Sequence, residues 1–262
     1  MPYRLVFASL LLLWQSQVFA NETGLANDSF DIDRADLGSA TTEQPSNKEK
    51  AFQGEGSLGL IINSGNSNNK SLNGNIKAQY KHSKWQHKFE IKAKKVQEKE
   101  KVKAERYLFT ENSSYTFSER TFAFVSLRYD DDRFDGFDYQ ASLSSGLGWH
   151  LIDQKKTHLD VELGLGRREN VATKTQIRTE ENIRRFSQHF NTTISKTTKL
   201  TEDILVESSD QNTTSEFNVG VRVAINTAVA LKVGYNVKKN SDPPENTEPT
   251  DRTTSVTLVF GF

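Results

Sequence analysis

The segment Phe217–Ile225, FNVGVRVAI, decides the fold. Its odd-numbered residues are all apolar, and its even-numbered residues are small, polar or charged. The segments Val229–Val237, VALKVGYNV, and Leu159–Leu165, LDVELGL, repeat this alternation. A period of two places one set of side chains on each face of a β-sheet. The sequence therefore predicts strands, and helical spacing of apolar residues does not extend over a comparable length.

Runs of this kind, together with their turn signals, predict about twelve strands between residues 51 and 262. Proline removes a hydrogen-bond donor from a strand, and the chain has none between Pro45 and Pro243. The predicted strands begin near Gln53, Lys70, Lys84, Lys103, Glu119, Phe137, Thr157, Thr175, Thr198, Ser215, Ala228 and Asp251.

The second face of these strands is polar, and the chain lacks the apolar bulk that the core of a soluble sandwich of this size needs. A polar interior with an apolar exterior is the reverse of a soluble protein and is typical of a transmembrane barrel. In lipid, only a closed barrel pairs every strand edge. We therefore expect an all-β protein, a closed antiparallel transmembrane β-barrel of about 12 strands. A soluble periplasmic β-sandwich is the alternative.

Aromatic residues and loop lengths support a barrel in a bilayer. Tyr107 and Phe117 share one strand face at a spacing of ten residues, and so do Tyr139 and Trp149. Ten residues of a tilted strand span roughly 26 Å along the membrane normal, close to the apolar band of about 25 Å that aromatic girdles border. Short inner turns, with residues 152–156 as one example, are predicted to alternate with longer outer connections such as residues 96–102.

Charges of both signs fall on the predicted lumen face. Opposite charges in a confined, low-dielectric interior attract strongly and tend to fill it, whereas a selective pore more often carries one dominant sign. We expect a narrow or closed polar lumen and keep a passive pore for small solutes or ions as the alternative. The lumen-lining candidates are Glu55, Lys77, Lys88, Glu90, Lys92, Arg106, Arg128, Asp138, Asp160, Glu162, Glu216, Arg222 and Lys232. Glycines 146, 148, 164, 166, 220 and 234 also face inward, which leaves room for neighbouring side chains.

The alternation is broken in three strands. Glu111 falls on the otherwise aromatic face of the fourth strand, and the eighth strand changes phase between Ile183 and Phe186. The ninth strand fits either orientation. A β-bulge would repair the first two, and a wrong register would also explain them.

The N-terminus differs from the rest of the chain. Residues 1–20 combine Arg4, an apolar run and a small-x-small site, which predicts a secretory signal peptide cleaved between Ala20 and Asn21. Residues 21–50 hold seven acidic and three basic residues and are predicted to be a disordered periplasmic tail. Residues 51–262 form the predicted barrel, so we expect the protein in the outer membrane of a Gram-negative bacterium.

Composition excludes several classes of protein. The chain has no Cys, which excludes a disulfide scaffold and a thiolate metal site. The 34 Lys and Arg residues balance 34 Asp and Glu residues, which argues against a nucleic-acid partner. The mean hydropathy of −0.65 excludes a bundle of membrane helices.

Chemical sites receive weak support. An acidic group, Asp130, Asp131, Asp132, Asp135 and Asp138, is predicted to form a solvated outer loop, with metal binding as the alternative. The five His residues lie toward the periplasmic end, and only His87 points to lipid, without an obvious Ser partner. We therefore expect no catalytic residues, no metal and no cofactor, and keep a lipid-modifying enzyme as a distant alternative. Six lysines that flank the second outer hairpin could contact outer-membrane lipids and lipopolysaccharide, namely Lys92, Lys94, Lys95, Lys99, Lys101 and Lys103.

The last strand ends the chain on an aromatic residue. Val256, Leu258, Phe260 and Phe262 share one face. This run resembles the terminal strand of Gram-negative outer-membrane proteins, which the barrel-assembly machinery reads. The resemblance implies that machinery as a partner, while the oligomeric state stays open.

A wider resemblance covers residues 51–262. It rests on Gly59–Asn66 (GLIINSGN), on Arg128–Tyr139 (RYDDDRFDGFDY) and on the two GLG triplets at residues 146–148 and 164–166. The chain resembles the salt-induced outer-membrane protein family, also defined as domain of unknown function 481. The resemblance implies an outer-membrane barrel linked to envelope integrity or to salt and osmotic adaptation, and it supplies no catalytic residues.

Overall fold

The computed structural model describes residues 52–63, 69–98, 101–132, 136–243 and 249–261. The predicted cleavage site at Ala20 and Asn21, the tail 21–50 and Phe262 lie outside these ranges. Within them, no helix is long and apolar enough to cross a membrane. The described chain forms twelve strands, β1 Phe52–Asn63, β2 Asn69–His82, β3 Trp85–Glu98, β4 Lys101–Ser118, β5 Thr121–Asp132, β6 Phe137–Gln154, β7 Thr157–Ala172, β8 Arg178–Thr193, β9 Thr198–Ser208, β10 Thr213–Ala224, β11 Val229–Asn240 and β12 Thr250–Gly261.

The twelve strands form one closed antiparallel barrel in sequence order. Each strand pairs with its neighbours in the chain, and β1 pairs with β12 from Glu55 opposite Gly261 to Leu58 opposite Leu258. The prediction of a closed barrel with about twelve strands is confirmed. Three predicted strand starts coincide with observed ones, and the largest difference is at β8, which begins at Arg178 rather than near Thr175.

The described side chains are arranged with their polar groups inside. Thirty large apolar side chains are exposed, whereas seven apolar and eighteen polar or charged residues are buried. Charged residues are rarely buried in soluble proteins unless they are paired. Closed even-numbered antiparallel barrels with an apolar outer band are characteristic of bacterial outer membranes. This arrangement is therefore that of an outer-membrane barrel rather than of a soluble sandwich.

Strand lengths differ from the prediction at several ends. β6 continues to Gln154, so its inner turn contains only residues 155 and 156 instead of 152–156. β3 ends at Glu98 and β4 begins at Lys101. The predicted connection 96–102 is therefore shortened to two residues. The inner connections have two to four residues, and the outer ones have two to nine.

Of the two explanations offered for the broken alternation, the structure contradicts a bulge near Glu111 in β4 and between Ile183 and Phe186 in β8. The β4–β5 register is continuous from Arg106 to Thr116, so Glu111 stays on the outer face. The β7–β8 register is also continuous. Ile183 is buried at 2% exposure, and Phe186 pairs with the exposed Leu163. An inward isoleucine, rather than a bulge, explains the change of phase. The register shifts lie elsewhere, for example between His150 and Ile152.

Candidate functional site in the barrel lumen

A network of charged side chains crosses the outer half of the lumen. Arg106 on β4 donates to both carboxylate oxygens of Asp130 on β5, at 2.7 and 2.6 Å. The same guanidinium donates to Glu216 Oε1 on β10 at 2.8 Å. Arg128 donates to Asp130 at 3.0 Å and to Glu216 at 2.7 Å. Lys238 Nζ on β11 lies 3.6 Å from Asp130 Oδ2. We call these five residues the diametric network.

The diametric network spans the full width of the barrel. In a ring of twelve strands, β4 and β10 are six positions apart in either direction, and so are β5 and β11. Arg106 therefore contacts Glu216, and Lys238 approaches Asp130, from opposite walls. Bidentate pairing of an arginine with a carboxylate fixes geometry as well as energy.

A second polar cluster lies beside this network, toward β6–β10. Ser142 donates to Glu207 at 3.0 Å across the lumen. Arg168 donates to Glu181 at 2.8 Å and to Thr214 Oγ1 at 3.2 Å. Cavities of only about 10 Å³ remain where this cluster meets the diametric network.

The other half of the lumen, toward the β4–β5 and β6–β7 turns, is packed with aromatic rings near β5–β8. Phe122 and Phe124 are 5% and 2% exposed. The Arg185 guanidinium lies 4.9 Å from the centre of the Phe124 ring and donates to Glu162 at 2.5 Å. His150 stands 4.9 Å from the Phe122 ring. A space of about 40 Å³ remains among these groups.

A cavity of about 400 Å³ lies along β1–β4 and β9–β12. Its walls carry amide, hydroxyl and charged side chains, among them Asn218, Asn236, Thr257 and Lys232. Lys94 donates to Thr253 Oγ1 at 3.0 Å inside it. The lumen is therefore not filled uniformly, since this cavity is much larger than the spaces of about 40 and 10 Å³ on the side of β5–β8.

Twelve of the thirteen lumen-facing candidates have their side chains in the interior. Their partners include Arg222 for Glu55 at 2.6 Å, Glu90 for Lys77 and Lys92 at 3.5 and 3.1 Å, and His150 for Asp160 at 2.7 Å. Asp138 differs, because it lies where the β6–β7 register shifts and accepts a hydrogen bond from Gln176 in the outer turn, at 2.6 Å.

The acidic group predicted as a solvated loop is divided by the structure. Asp130 is 3% exposed and, like Asp132, points into the lumen, where Arg106 and Lys238 neutralise them. The prediction of a solvated loop is therefore wrong for these two residues, because β5 continues to Asp132. Asp135 lies outside the described residues. In the ranges that the structure describes, no group of three His, Asp or Glu side chains is placed to hold a metal ion.

The lysines predicted to flank an outer hairpin also separate. Lys92 and Lys94 point into the lumen, so they do not form an outer rim. Lys95 lies 4.0 Å from Glu105 on the outer face. Lys99 lies outside the described residues, as does the side chain of Lys103.

The sequence analysis missed a polar cluster on the lipid-facing wall. His87 Nδ1 lies 2.6 Å from Ser113 Oγ, and Ser113 donates to Glu111. The prediction that His87 lacks a Ser partner is wrong. The serine stands between the acid and the histidine, whereas in a hydrolytic triad the histidine stands between the serine and the acid. The three side chains therefore form a cluster in which each polar group has a hydrogen-bond partner, and they are not arranged as a hydrolytic triad. The sequence signal was available, since alternation places residues 111 and 113 on one face.

The lumen-facing residues that were not predicted follow the same alternation of side chains along the strand. Phe122, Phe124, Asp130 and Glu207 were not among the candidates, yet each lies on the polar face of its strand. The predicted assembly residues Val256, Leu258 and Phe260 lie on the outer face at 53%, 43% and 42% exposure, and their recognition by the assembly machinery stays a prediction.

The chain is similar to several known proteins. An uncharacterized protein, YdiY of Escherichia coli (strain K12), is 26% identical over 226 residues, which cover 84% of this chain and 87% of that protein. The NanC porin gives a TM-score of 0.47 at 8% identity, covering 80% of this chain and 98% of that one. An outer-membrane channel from Pseudomonas putida F1 gives 0.48 at 11% identity, covering 84% and 100%. These structural likenesses carry no information about what this lumen admits. A family model described as a protein of unknown function, DUF481, matches residues 56–262, and the chain belongs to that family.

Proposed function

We propose that this outer-membrane barrel has a lumen narrowed by paired charges and serves the envelope as a structural element under salt or osmotic stress. The diametric network carries the first part of the proposal. The resemblance to salt-induced outer-membrane proteins supports the second. The proposal assigns no catalytic residue.

Direct hydrogen bonds across the barrel diameter favour a lumen crossed by side chains over an open one. Arg106 and Glu216 approach to 2.8 Å from opposite walls, so at their level no passage runs between these two side chains. In the barrel interior the effective dielectric constant is lower than in water, which strengthens such pairs. Removing only one partner would leave an unpaired charge. The network therefore both narrows the lumen and holds the walls at a fixed distance.

Planar-bilayer conductance tests the narrow lumen. The double variant Arg106→Ser/Glu216→Ser removes one charge of each sign and both side chains of the diametric contact. We expect the wild-type protein to show low or no single-channel conductance and the variant to show larger steps. The matched control is Arg167→Ser/Glu180→Ser, which removes the same residue types from an exposed ion pair on the outer wall. The control should behave like the wild type.

A passive pore for small solutes is the second candidate. The cavity of about 400 Å³ favours it, because a cavity of this size can hold a small molecule. Stable, large channel steps from the wild-type protein, unchanged in the Arg106→Ser/Glu216→Ser variant, would favour the pore and overturn the narrow lumen.

The envelope role is tested in cells. Cells that lack the gene should grow more slowly than the parent at high salt and equally well at low salt, and the wild-type gene should restore growth. Equal growth of both strains at high salt would contradict this part of the proposal, whatever the conductance shows.

A further inference from the structure

One lysine in the large cavity has a charge that no adjacent carboxylate balances. Lys232 lies on β11 and lines the cavity next to Gly220 of β10. A Cβ atom on Gly220 would lie 2.6 Å from Lys232 Cε. The missing side chain of Gly220 therefore gives Lys232 the space to lie along this wall.

The carboxylates whose charges act on Lys232 already have other partners. Glu55 accepts a hydrogen bond from Arg222 at 2.6 Å. Asp203 is hydrogen-bonded to His189. Lys232 itself makes no hydrogen bond and no ion pair within 4.0 Å to any residue that the structure describes.

Neighbouring lysines add to the positive charge. Lys77 and Lys92 both contact the single carboxylate of Glu90. The group therefore has four basic side chains, Lys77, Lys92, Arg222 and Lys232, and three carboxylates, Glu55, Glu90 and Asp203. A confined excess of positive charge with low-dielectric walls attracts small anions.

A neutral hydroxyl stands beside the lysine. Thr257 of β12 is the direct cross-strand neighbour of Lys232. Thr201 lines the same cavity, but its hydroxyl donates to the carbonyl oxygen of Gly220 at 3.5 Å. We propose that Lys232 binds a small oxyanion in this cavity, a phosphate or a carboxylate, with the hydroxyl of Thr257 as a neutral donor. Arg106, Glu216 and Lys238 of the diametric network line the same cavity.

Equilibrium binding of inorganic phosphate tests the site. The full chain, folded in detergent at low ionic strength, is titrated by calorimetry. Wild type should bind phosphate saturably, and Lys232→Met should bind at least about tenfold more weakly, because charge-assisted hydrogen bonds are lost. Lys239→Met is the control, since Lys239 lies on the same strand, is exposed and does not line the cavity.

A second pair of variants keeps Lys232 and tests whether phosphate binding depends on the absence of a carboxylate beside it. Thr257→Asp places a carboxylate beside Lys232 and should weaken phosphate binding as much as Lys232→Met does. Thr257→Asn has a similar size without the charge and should retain most of the binding. Different gel mobility of unheated and boiled samples shows that each variant is folded.

The outcomes separate this inference from the proposed function. Saturable phosphate binding that Lys232→Met and Thr257→Asp both weaken at least about tenfold supports the site, whether or not the barrel conducts. Absence of saturable binding to the folded wild type overturns it, and so does equal binding by Lys232→Met. Acetate, titrated in the same way, distinguishes a site for carboxylates from one that accepts only phosphate.

Discussion

Gly146 on β6 pairs with Gly164 on β7, and the Phe124 ring covers this pair from the lumen side. A Cβ atom on Gly146 would lie 2.0 Å from the carbonyl oxygen of Leu163 and 2.6 Å from Gly164 Cα. A Cβ atom on Gly164 would lie 2.8 Å from Phe124 Cζ. These glycines therefore bring two backbones and one ring together, which the sequence analysis anticipated only as room for neighbours.

Gly146→Ala tests this close approach. We expect it to lower the free energy of unfolding by about 1–3 kcal/mol, because the backbone must shift to admit the methyl group. Urea unfolding from lipid vesicles, followed by tryptophan fluorescence, measures the change. Gly56→Ala is the control, because a Cβ atom there has no neighbour within 4 Å. Equal stability of the two variants would show that the β6–β7 contact is looser than described.

Single residues also show where sequence reasoning stops. Parity placed Arg106, Arg128 and Glu216 on the lumen face, but it could not show that they meet. Their contact depends on β4 and β10 being opposite in the ring, which follows only from the strand number and closure. Asp130 was assigned to a loop because its neighbours in the chain are acidic. A run of aspartates in a sequence is typical of a solvated loop. Only the folded barrel shows that Arg106 and Lys238, on other strands, pair with Asp130.

At the scale of the strands, alternation was the reliable signal. It placed the starts of β6, β7 and β9 at the observed residues. It failed where an inward-facing apolar residue interrupts the polar face, as Ile183 does on β8 and Leu108 on β4, both 2–3% exposed. These residues pack inside the lumen, so a strict division into apolar exterior and polar interior misjudges them.

β7 supplies a test of the lipid-facing surface. Leu165 lies at the middle of this strand and is 70% exposed. Leu165→Arg should lower the free energy of unfolding from vesicles by about 2–4 kcal/mol, the cost of an arginine facing lipid at the bilayer midplane. Ile194→Arg, in the inner turn, makes the same change at a similarly exposed site outside the strands and should cost little. A cost at Leu165 no greater than at Ile194 would argue that β7 does not face lipid.

At the scale of the whole molecule, closure makes the buried charges possible. β1 and β12 pair with each other over four residues as well as with β2 and β11, so every described strand has a partner on both sides. In hydrocarbon an unpaired edge would leave amide and carbonyl groups unsatisfied, each at a cost of several kcal/mol. Closure also encloses the charged side chains, which compensate one another across the lumen rather than along one wall.

The overall architecture and most of the lumen-facing residues could be predicted, and the contacts among those residues could not. Strand number, barrel class and the apolar outer surface follow from periodicity, which is a local property of the chain. The filling of the lumen depends on pairs far apart in sequence, such as Arg222 with Glu55 and Lys94 with Thr253. The orientation and depth of such pairs are set by register and strand tilt, which parity alone does not supply.

Spin-label accessibility along β11 tests the inside-out arrangement most directly. The chain has no native Cys, so a single cysteine at each position from 230 to 235 gives one unambiguous label. In lipid vesicles, labels replacing Leu231, Val233 and Tyr235 should collide with oxygen dissolved in the bilayer. Labels replacing Ala230, Lys232 and Gly234 should collide less with oxygen and, where the lumen holds water, more with a water-soluble nickel chelate. An alternation with the opposite phase, or none, would contradict the barrel with a polar interior.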